Sequence, residues 1–207
     1  MAAANLLFHL PIVQVQNKAN TTPFTSAQPE AAGQTFFSGS LVQLNGAGFV
    51  QQWDGSTVAA GILGVSESFG LNLGTAGAGA PVPPFGGVTG TIAIQTYGAV
   101  VNQPGGVNIA IGTPVSDGRT LYIEPNQDNI FEALFDDSTG TTAANYTPTQ
   151  ANIGGSFGMT KDPNGYWYVD AAKTGGAAIV QIVRLPLGSF VNAPVDFVFL
   201  STAIQVN

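Results

Sequence analysis

The chain has 207 residues, of which 44% are hydrophobic and only 8% are charged, a composition that excludes a disordered chain. Its five basic residues are scattered against a net charge of −7 and cysteine is absent, which argues against nucleic-acid binding, disulfides and zinc–thiolate sites. The 27 glycines and 13 prolines indicate many turns between short strands, so the expected fold class is all-β.

The first unit is predicted to be an extended N-terminal arm, residues 1–33. The stretch "LLFHLPIVQVQ" can be extended, and the polar, proline-bearing stretch after it disfavours a helix. The segment reads either as a frayed terminus or as an arm that lies on a neighbouring molecule. In the second interpretation Leu6, Phe8, Leu10 and Ile12 are alternating apolar anchors.

Residues 34–125 are predicted to form a first β-domain. The runs "GSLVQL" and "GFVQQW" flank a turn at Asn45-Gly46-Ala47-Gly48, and Asp117-Gly118 lies between two further strand-like runs. A Gly/Ala/Pro-rich loop, residues 74–90, interrupts this domain. Because the loop is long and carries Val82 and Phe85, we expect something outside the domain to hold it.

Residues 126–207 are predicted to form a second β-domain. The stretch "KDPNGYW" places a turn at residues 162–165 between two strands. The last strand, "VDFVFLSTAIQV", is apolar on both faces. We therefore expect that strand to be central in its sheet or covered by a partner.

The residue inventory argues against catalysis. The segment Gly154–Gly158 matches G-x-S-x-G, but a nucleophilic Ser156 would need a histidine after it, and His9 is the chain's one histidine. Asp136 and Asp137 are adjacent and would point to opposite faces of a strand, so "DDSTG" is interpreted as a strand-end turn. No phosphate-binding glycine loop or calcium loop is present, and we expect no catalytic, cofactor or metal site.

No stretch reaches the roughly 20 apolar residues of a membrane helix, and the N-terminus lacks the basic region of a secretory signal. The aromatic residues Trp53, Tyr166, Trp167 and Tyr168 could stack on sugars, but such residues in strands more often belong to the core. We therefore expect no membrane partner, and we favour the core interpretation of the aromatics.

Three stretches of the chain resemble the capsid decoration, or cement, proteins of tailed bacteriophages. They are "PEAAGQTFFSGSLVQLNGAGFVQQWDG…AAGILGVSESFGLNL" (residues 29–73), "DGRTLYIEPNQDNIFEALFDDSTG" (residues 117–140), and "VQIVRLPLG…VDFVFLSTAIQ". The resemblance implies small β-barrel or β-tulip domains on the outer surface of an icosahedral capsid. There, such proteins bridge neighbouring major capsid protein subunits and carry no cofactor.

The resemblance also implies the partner, whereas the contact residues are a hypothesis based on the apolar side chains of the arm and the loop. The expected partner is the phage major capsid protein, and the chain is expected to form a homo-oligomer, a trimer or a dimer. The candidate capsid contacts come from the arm and from the loop at 74–90: Leu6, Phe8, Leu10, Ile12, Phe24, Val82 and Phe85.

Two other functions remain open from the sequence. The nearest is a phage tail or fibre component, or a surface glycan-binding β-protein that uses Trp53 or the "YWYV" stretch. The other is a hydrolase that uses Ser156, which the absence of a suitably placed histidine disfavours.

Overall fold

The computed structural model describes residues 10–18, 25–31, 34, 36–55, 61–67, 119–126 and 128–205. Over these residues the chain forms β-strands and short 3-10 turns and no α-helix, so the predicted all-β class is confirmed for them. None of their helical turns is long or apolar enough to span a bilayer. The strands are β1 (Val13–Asn17), β2 (Thr25–Pro29), β3 (Leu41–Leu44), β4 (Val50–Gln52), β5 (Gly64–Ser66), β6 (Arg119–Ile123), β7 (Asn129–Asp136), β8 (Ser156–Lys161), β9 (Trp167–Asp170), β10 (Val180–Arg184) and β11 (Pro194–Phe199).

The first barrel is a five-stranded sheet with the order β2-β6-β5-β3-β4. A parallel bridge between Glu30 and Val50 joins its two ends and closes the ring. Its core contains Val42, Val50 and Tyr122, all with no exposed surface. A closed sheet leaves no unpaired edge, which is how small β-structures avoid edge-to-edge association.

The second barrel is the ring β7-β11-β10-β8-β9, which closes because β9 also pairs in parallel with β7. β1 joins this barrel from outside, antiparallel to the N-terminal half of β7. All six residues of β11 are buried, and β11 lies between β7 and β10, which confirms the predicted central position. Phe131, Phe197 and Phe199 fill the interior, with ring centroids 5.3 to 6.0 Å apart.

Besides the separate core of the first barrel, a larger hydrophobic cluster contains residues of both barrels. The indoles of Trp53, from the first barrel, and Trp167, from the second, lie 5.1 Å apart between centroids. After β11 the chain returns to the first barrel, where Ile62 donates its backbone N–H to Ala203 O at 2.9 Å. Gln205 donates its backbone N–H to Ile62 O at 2.7 Å, so hydrogen bonds as well as packing cross the junction.

Two of the predicted turns are confirmed as hairpin turns held by side chains. Asn45 Oδ1 accepts the backbone N–H groups of Ala47 and Phe49 between β3 and β4. Asp162 Oδ1 accepts those of Asn164 and Tyr166 between β8 and β9. Such Asx turns satisfy backbone donors that the ladder cannot pair. The predicted turn at 117–118 lies outside the described residues.

The described part of the predicted arm pairs with the rest of this chain. β1 pairs with β7, with Val13 opposite Glu132, and β2 pairs with β6, with Thr25 opposite Ile123. These two stretches are extended, as predicted; β2 is a strand of the first barrel, and β1 pairs with β7 outside the ring of the second. The division of the chain into an arm and two domains stays a prediction, and the predicted loop at 74–90 lies outside the described residues.

Candidate interaction surface

β1 is an edge strand with no charged side chain. Among the described strands it pairs only with β7, and its sequence is VQVQN. Val13 is 42% exposed and Val15 is 41% exposed, and Leu10, just before the strand, is 40% exposed. Edge strands are usually protected by charges, by proline or by a bulge. Here a bulge between Gln14 and Gln16 is the one such device within the strand.

We call the exposed set Leu10, Val13 and Val15 the β1 surface. Three exposed aliphatic side chains within six residues form an apolar stripe beside an unpaired backbone edge. A stripe of this kind can accept an added strand, because the backbone supplies hydrogen bonds and the side chains supply apolar contact. The β1 surface is therefore the best candidate for a binding site in the described part of the chain.

An apolar pocket adjoins the β1 surface. It has a volume of about 240 Å³ and is lined by Leu10, Pro11, Val13, Glu132, Ala133 and Pro194. A dry apolar cavity of roughly 150 Å³ can hold a benzene molecule, so this pocket has room for a large side chain. Glu132 supplies the one charged group of the lining.

A row of four side chains crosses the second barrel beside the pocket. The strand registers place Val13 opposite Glu132, Glu132 opposite Asp196, and Asp196 opposite Arg184. Residues directly opposite one another on paired strands share one face of the sheet. The row therefore places two carboxylates and one guanidinium side by side.

The guanidinium is committed to one of the two carboxylates. Arg184 Nε and Nη2 both donate to Asp196 Oδ2, at 2.6 and 2.5 Å. Asp196 is fully buried, and its other oxygen, Oδ1, accepts no hydrogen bond from any described residue. The half-buried Glu132 carboxylate likewise has no hydrogen bond or ion pair with any described residue.

The environment of Glu132 disfavours its charged form. Burial is the largest cause that raises its pKa, and the neighbouring Asp196 carboxylate raises it further. Arg184 acts in the opposite direction and does not cancel the other two effects. The row thus carries one uncompensated negative charge next to an apolar pocket.

The structure describes two of the predicted contact residues, and it separates them. Leu10 is exposed and lines the pocket. Ile12 is 2% exposed and packs in the shared core, so it does not belong to the outward-facing anchors. Residues two apart in a strand share a face, but Leu10 and Ile12 do not. The alternation is interrupted between them, at Pro11 and just before β1 begins. The others lie outside the described residues: Leu6, Phe8, Phe24, Val82 and Phe85.

Sequence reasoning missed several exposed apolar residues. Val13 and Val15 lie in the opposite phase to the predicted anchors Leu10 and Ile12, so the predicted set omits them. Leu187 is 69% exposed and Phe190 is 42% exposed in the loop between β10 and β11, and Leu121 is 45% exposed on β6. An isolated exposed apolar residue carries no local sequence signal, because its exposure depends on what packs above it.

The core interpretation of the aromatic residues is confirmed for three of the four. Trp53, Trp167 and Tyr168 are each less than 5% exposed. Burial, with the neighbouring Asp170 carboxylate, also raises the pKa of the Tyr168 hydroxyl. Tyr166 is half-buried and stacks on Phe37 at 5.4 Å. An open aromatic platform for a sugar is thus not formed by these side chains.

The residues considered for chemistry occupy structural positions. Ser156 is the first residue of β8, so the G-x-S-x-G match does not sit on a strand-to-helix turn. Asp136 is buried at the end of β7, and Asp137 Oδ1 accepts the N–H groups of Thr139 and Gly140, which confirms the predicted strand-end turn. His9 lies outside the described residues, which contain no cluster of three metal-ligating side chains.

Comparison of the chain with models of known protein families finds no match. Comparison with curated proteins likewise finds no relative.

Proposed function

We propose that this chain is a structural virion protein that binds the outer surface of an icosahedral phage capsid. It stabilises the shell by bridging neighbouring major capsid protein subunits, and it has no catalytic activity. The β1 surface is the observation that carries the proposal, because an uncharged edge strand with exposed valines is suited to docking. The sequence resemblance to phage decoration proteins over three stretches of the chain supplies the identity of the partner.

The low charge of the chain supports a role in close packing against other proteins. With 8% charged residues, few ions must lose water when two such surfaces meet. A protein that binds the assembled shell but not its free subunits stabilises the shell by mass action. In a homo-oligomer, a dimer or a trimer, each further contact forms at a high effective concentration, so weak contacts add to firm attachment.

In this proposal, each part of the chain contributes differently to shell binding. The two barrels act as two β-barrel or β-tulip domains, and the segment before Leu10 acts as an arm that reaches a neighbouring subunit. The arm and the loop at 74–90 contribute the remaining anchors to the shell contact: Leu6, Phe8, Phe24, Val82 and Phe85. Acidic balance, with a net charge of −7, suits a position outside the shell and away from packaged DNA.

Co-sedimentation with purified, expanded shells tests the proposal. The wild-type chain should saturate the shells and raise the temperature at which they rupture. Val13→Lys should weaken binding, because it puts a charge into the apolar stripe of the β1 surface. Leu121→Lys is the matched control, since Leu121 is equally exposed but lies on the first barrel. Absence of saturable binding by the wild-type chain would refute the proposal.

A test of the arm must spare the strands. A deletion of residues 2–33 would remove β1 and β2, which pair with β7 and β6, and would therefore disturb both barrels. A deletion of residues 2–9 leaves every described strand in place. If this shorter form occupies the shells as fully as the wild type does, the segment before Leu10 is not an anchor.

Labelled location on whole particles separates the proposal from a tail or fibre role. A decoration protein should be labelled over the whole head, whereas a tail component should be labelled at one vertex. The catalytic alternative has an equally direct test. The purified wild-type chain should show only background esterase activity, and Ser156→Ala should leave that signal unchanged.

A further inference from the structure

We infer that the pocket and the carboxylate row beside the β1 surface bind an extended polypeptide segment in which a lysine or arginine stands among apolar residues. For the identity of the partner this inference rests on the proposed function, since a shell subunit is the protein expected to supply the segment. The site itself is defined by its own chemistry and can be tested without shells.

The apolar part of the site selects the shape of the ligand. One backbone edge of β1 is paired with no other described strand, and Val13 and Val15 expose about two fifths of their surface beside it. An added strand would pair with this edge and place every second side chain on the apolar stripe. The pocket of about 240 Å³ begins at Leu10 and Val13, so it lies where one side chain of that strand would enter.

The charged part of the site selects the sign of that side chain. The row contains two carboxylates, Glu132 and Asp196, and one guanidinium, that of Arg184. Arg184 donates to Asp196 Oδ2, whereas Asp196 Oδ1 is buried and accepts no hydrogen bond from the described residues. Glu132, across the register from Asp196, lines the pocket and forms no ion pair with any described residue, because Arg184 is paired with Asp196.

A cation in the pocket would reduce the electrostatic repulsion between the two carboxylates, which share a single guanidinium. The ammonium or guanidinium group would pair with the accessible Glu132 carboxylate, and the charge of Asp196 would add to the attraction from across the register. β1 itself brings no titratable group to this face, and β10 brings only Arg184. Partial burial strengthens the Coulombic attraction of such a pair compared with open water, and desolvation of the incoming cation offsets part of that gain.

A second copy of this chain is a poor source of the cation. Three of its five basic residues already donate within the chain: Lys161 to Gln52 Oε1, Lys173 to Met159 O, and Arg184 to Asp196. The chain as a whole is acidic, with a net charge of −7. Charge complementarity therefore favours a different, more basic protein as the partner.

Peptide titration tests the inference on the full-length chain. The probe is a capped peptide of alternating threonine and valine with one central lysine, followed by amide shifts in ¹⁵N NMR spectra. Matched peptides carry glutamate or norleucine in place of the lysine. We expect shifts centred on Val13, Glu132 and Ala133, and an affinity about five- to tenfold higher for the lysine peptide than for the norleucine peptide. The glutamate peptide should bind more weakly than either.

Two variants, each of which removes one negative charge, test whether the carboxylate row causes the preference for the lysine peptide. Glu132→Gln should remove the preference for lysine over norleucine while leaving the norleucine peptide bound. Glu67→Gln, an exposed carboxylate on the first barrel, is the matched control and should leave the preference unchanged. The preference should also shrink as salt is raised, because the pair is only partly buried.

Three results would overturn the inference. One is the absence of shifts along β1 and β7 at millimolar lysine peptide. Another is an equal loss of preference in Glu67→Gln and Glu132→Gln. The third is binding that occurs only after deletion of residues 2–9, which would make the chain's own N-terminal segment the occupant of the pocket. Loss of shell binding with normal peptide binding would count against the proposed function alone.

Discussion

Truncation of one indole at the junction should destabilise both barrels together. Trp53 is 4% exposed and Trp167 is 3% exposed, and their ring centroids lie 5.1 Å apart at an interplanar angle of 31°. Replacement of a buried tryptophan by alanine typically costs about 3–5 kcal/mol, because apolar contact is lost and a cavity remains. About 0.5–1.5 kcal/mol of that cost should belong to the aromatic pair itself. We therefore expect Trp53→Ala to lower the free energy of unfolding by about 3–5 kcal/mol.

The assay follows from the composition, because the chain contains only these two tryptophans. Intrinsic fluorescence consequently reports on the junction, whereas far-UV circular dichroism reports on the strands of both barrels. Guanidinium unfolding of the wild type should give coincident transitions by the two probes, as expected for one cooperative unit. Phe190→Ala is the control: this ring is 42% exposed, and its loss should change stability by less than about 0.5 kcal/mol.

A double-mutant cycle isolates the contact between the indoles. Trp53→Leu, Trp167→Leu and the double variant, followed by far-UV circular dichroism, should give a coupling energy of about 0.5–1.5 kcal/mol. Two results would refute the reasoning. One is additivity of the two substitutions within about 0.3 kcal/mol. The other is a wild-type curve with two separate transitions, which would mean that the barrels unfold independently despite their shared core.

Three further predictions concern single side chains. The pKa of Glu132 is raised in the folded state, so its protonation favours folding; that contribution is complete below the ordinary glutamate value of 4.5 and is lost as the pH rises through the folded value. Glu132→Gln should therefore raise the thermal midpoint at pH 7, more than it does at pH 4. Asn45→Ala removes the side-chain oxygen that accepts the backbone N–H groups of Ala47 and Phe49 in the β3–β4 turn, and it should cost about 0.5–1.5 kcal/mol by chemical unfolding. Arg184→Met leaves the buried Asp196 uncompensated and should cost about 1.5–3 kcal/mol, most of which a second change, Asp196→Asn, should restore.

The elements that the sequence predicts well are those specified within a few residues. The turns at Asn45 and Asp162 combine a side-chain acceptor with glycine at positive φ, at Gly48 and Gly165. L-residues with a Cβ rarely adopt that conformation, so the turn chemistry is visible in the sequence. The apolar character of both faces of β11 is equally local, and it correctly predicts a buried strand.

The elements that the sequence does not place are those defined by distant partners. β1 lies beside β7, more than a hundred residues later in the chain, and β2 pairs with β6 almost as far away. No local pattern encodes the partner of a strand. The face assigned to Ile12 shows the same limit, since the change of phase at Pro11 and the bulge in β1 depend on the register with β7.

The candidate site illustrates this most clearly. Along the sequence, the nearest carboxylates to Glu132 on its C-terminal side are those of Asp136 and Asp137. In the fold its neighbour is Asp196, brought alongside by the antiparallel pairing of β7 and β11. Arg184 enters the row through a third strand, past an irregularity in the register of β10. A charge row across strands is therefore a property of register and cannot be read from spacing.

The acidic composition overstates the charge that a partner would meet on the outside. At least five of the twelve acidic residues are buried: Glu30, Asp136, Asp162, Asp170 and Asp196. Several of them hold the fold together; Asp170 Oδ1, for example, accepts the N–H groups of Ser138 and Ala172. The outer surface is correspondingly poorer in charge than the formula suggests, and its contacts should depend little on ionic strength.

Contact through Glu132 is the exception that we expect. Salt titration of shell binding should therefore show a weak dependence in Glu132→Gln and a steeper one in the wild type, because only the wild type retains the half-buried Glu132 charge within the docking site.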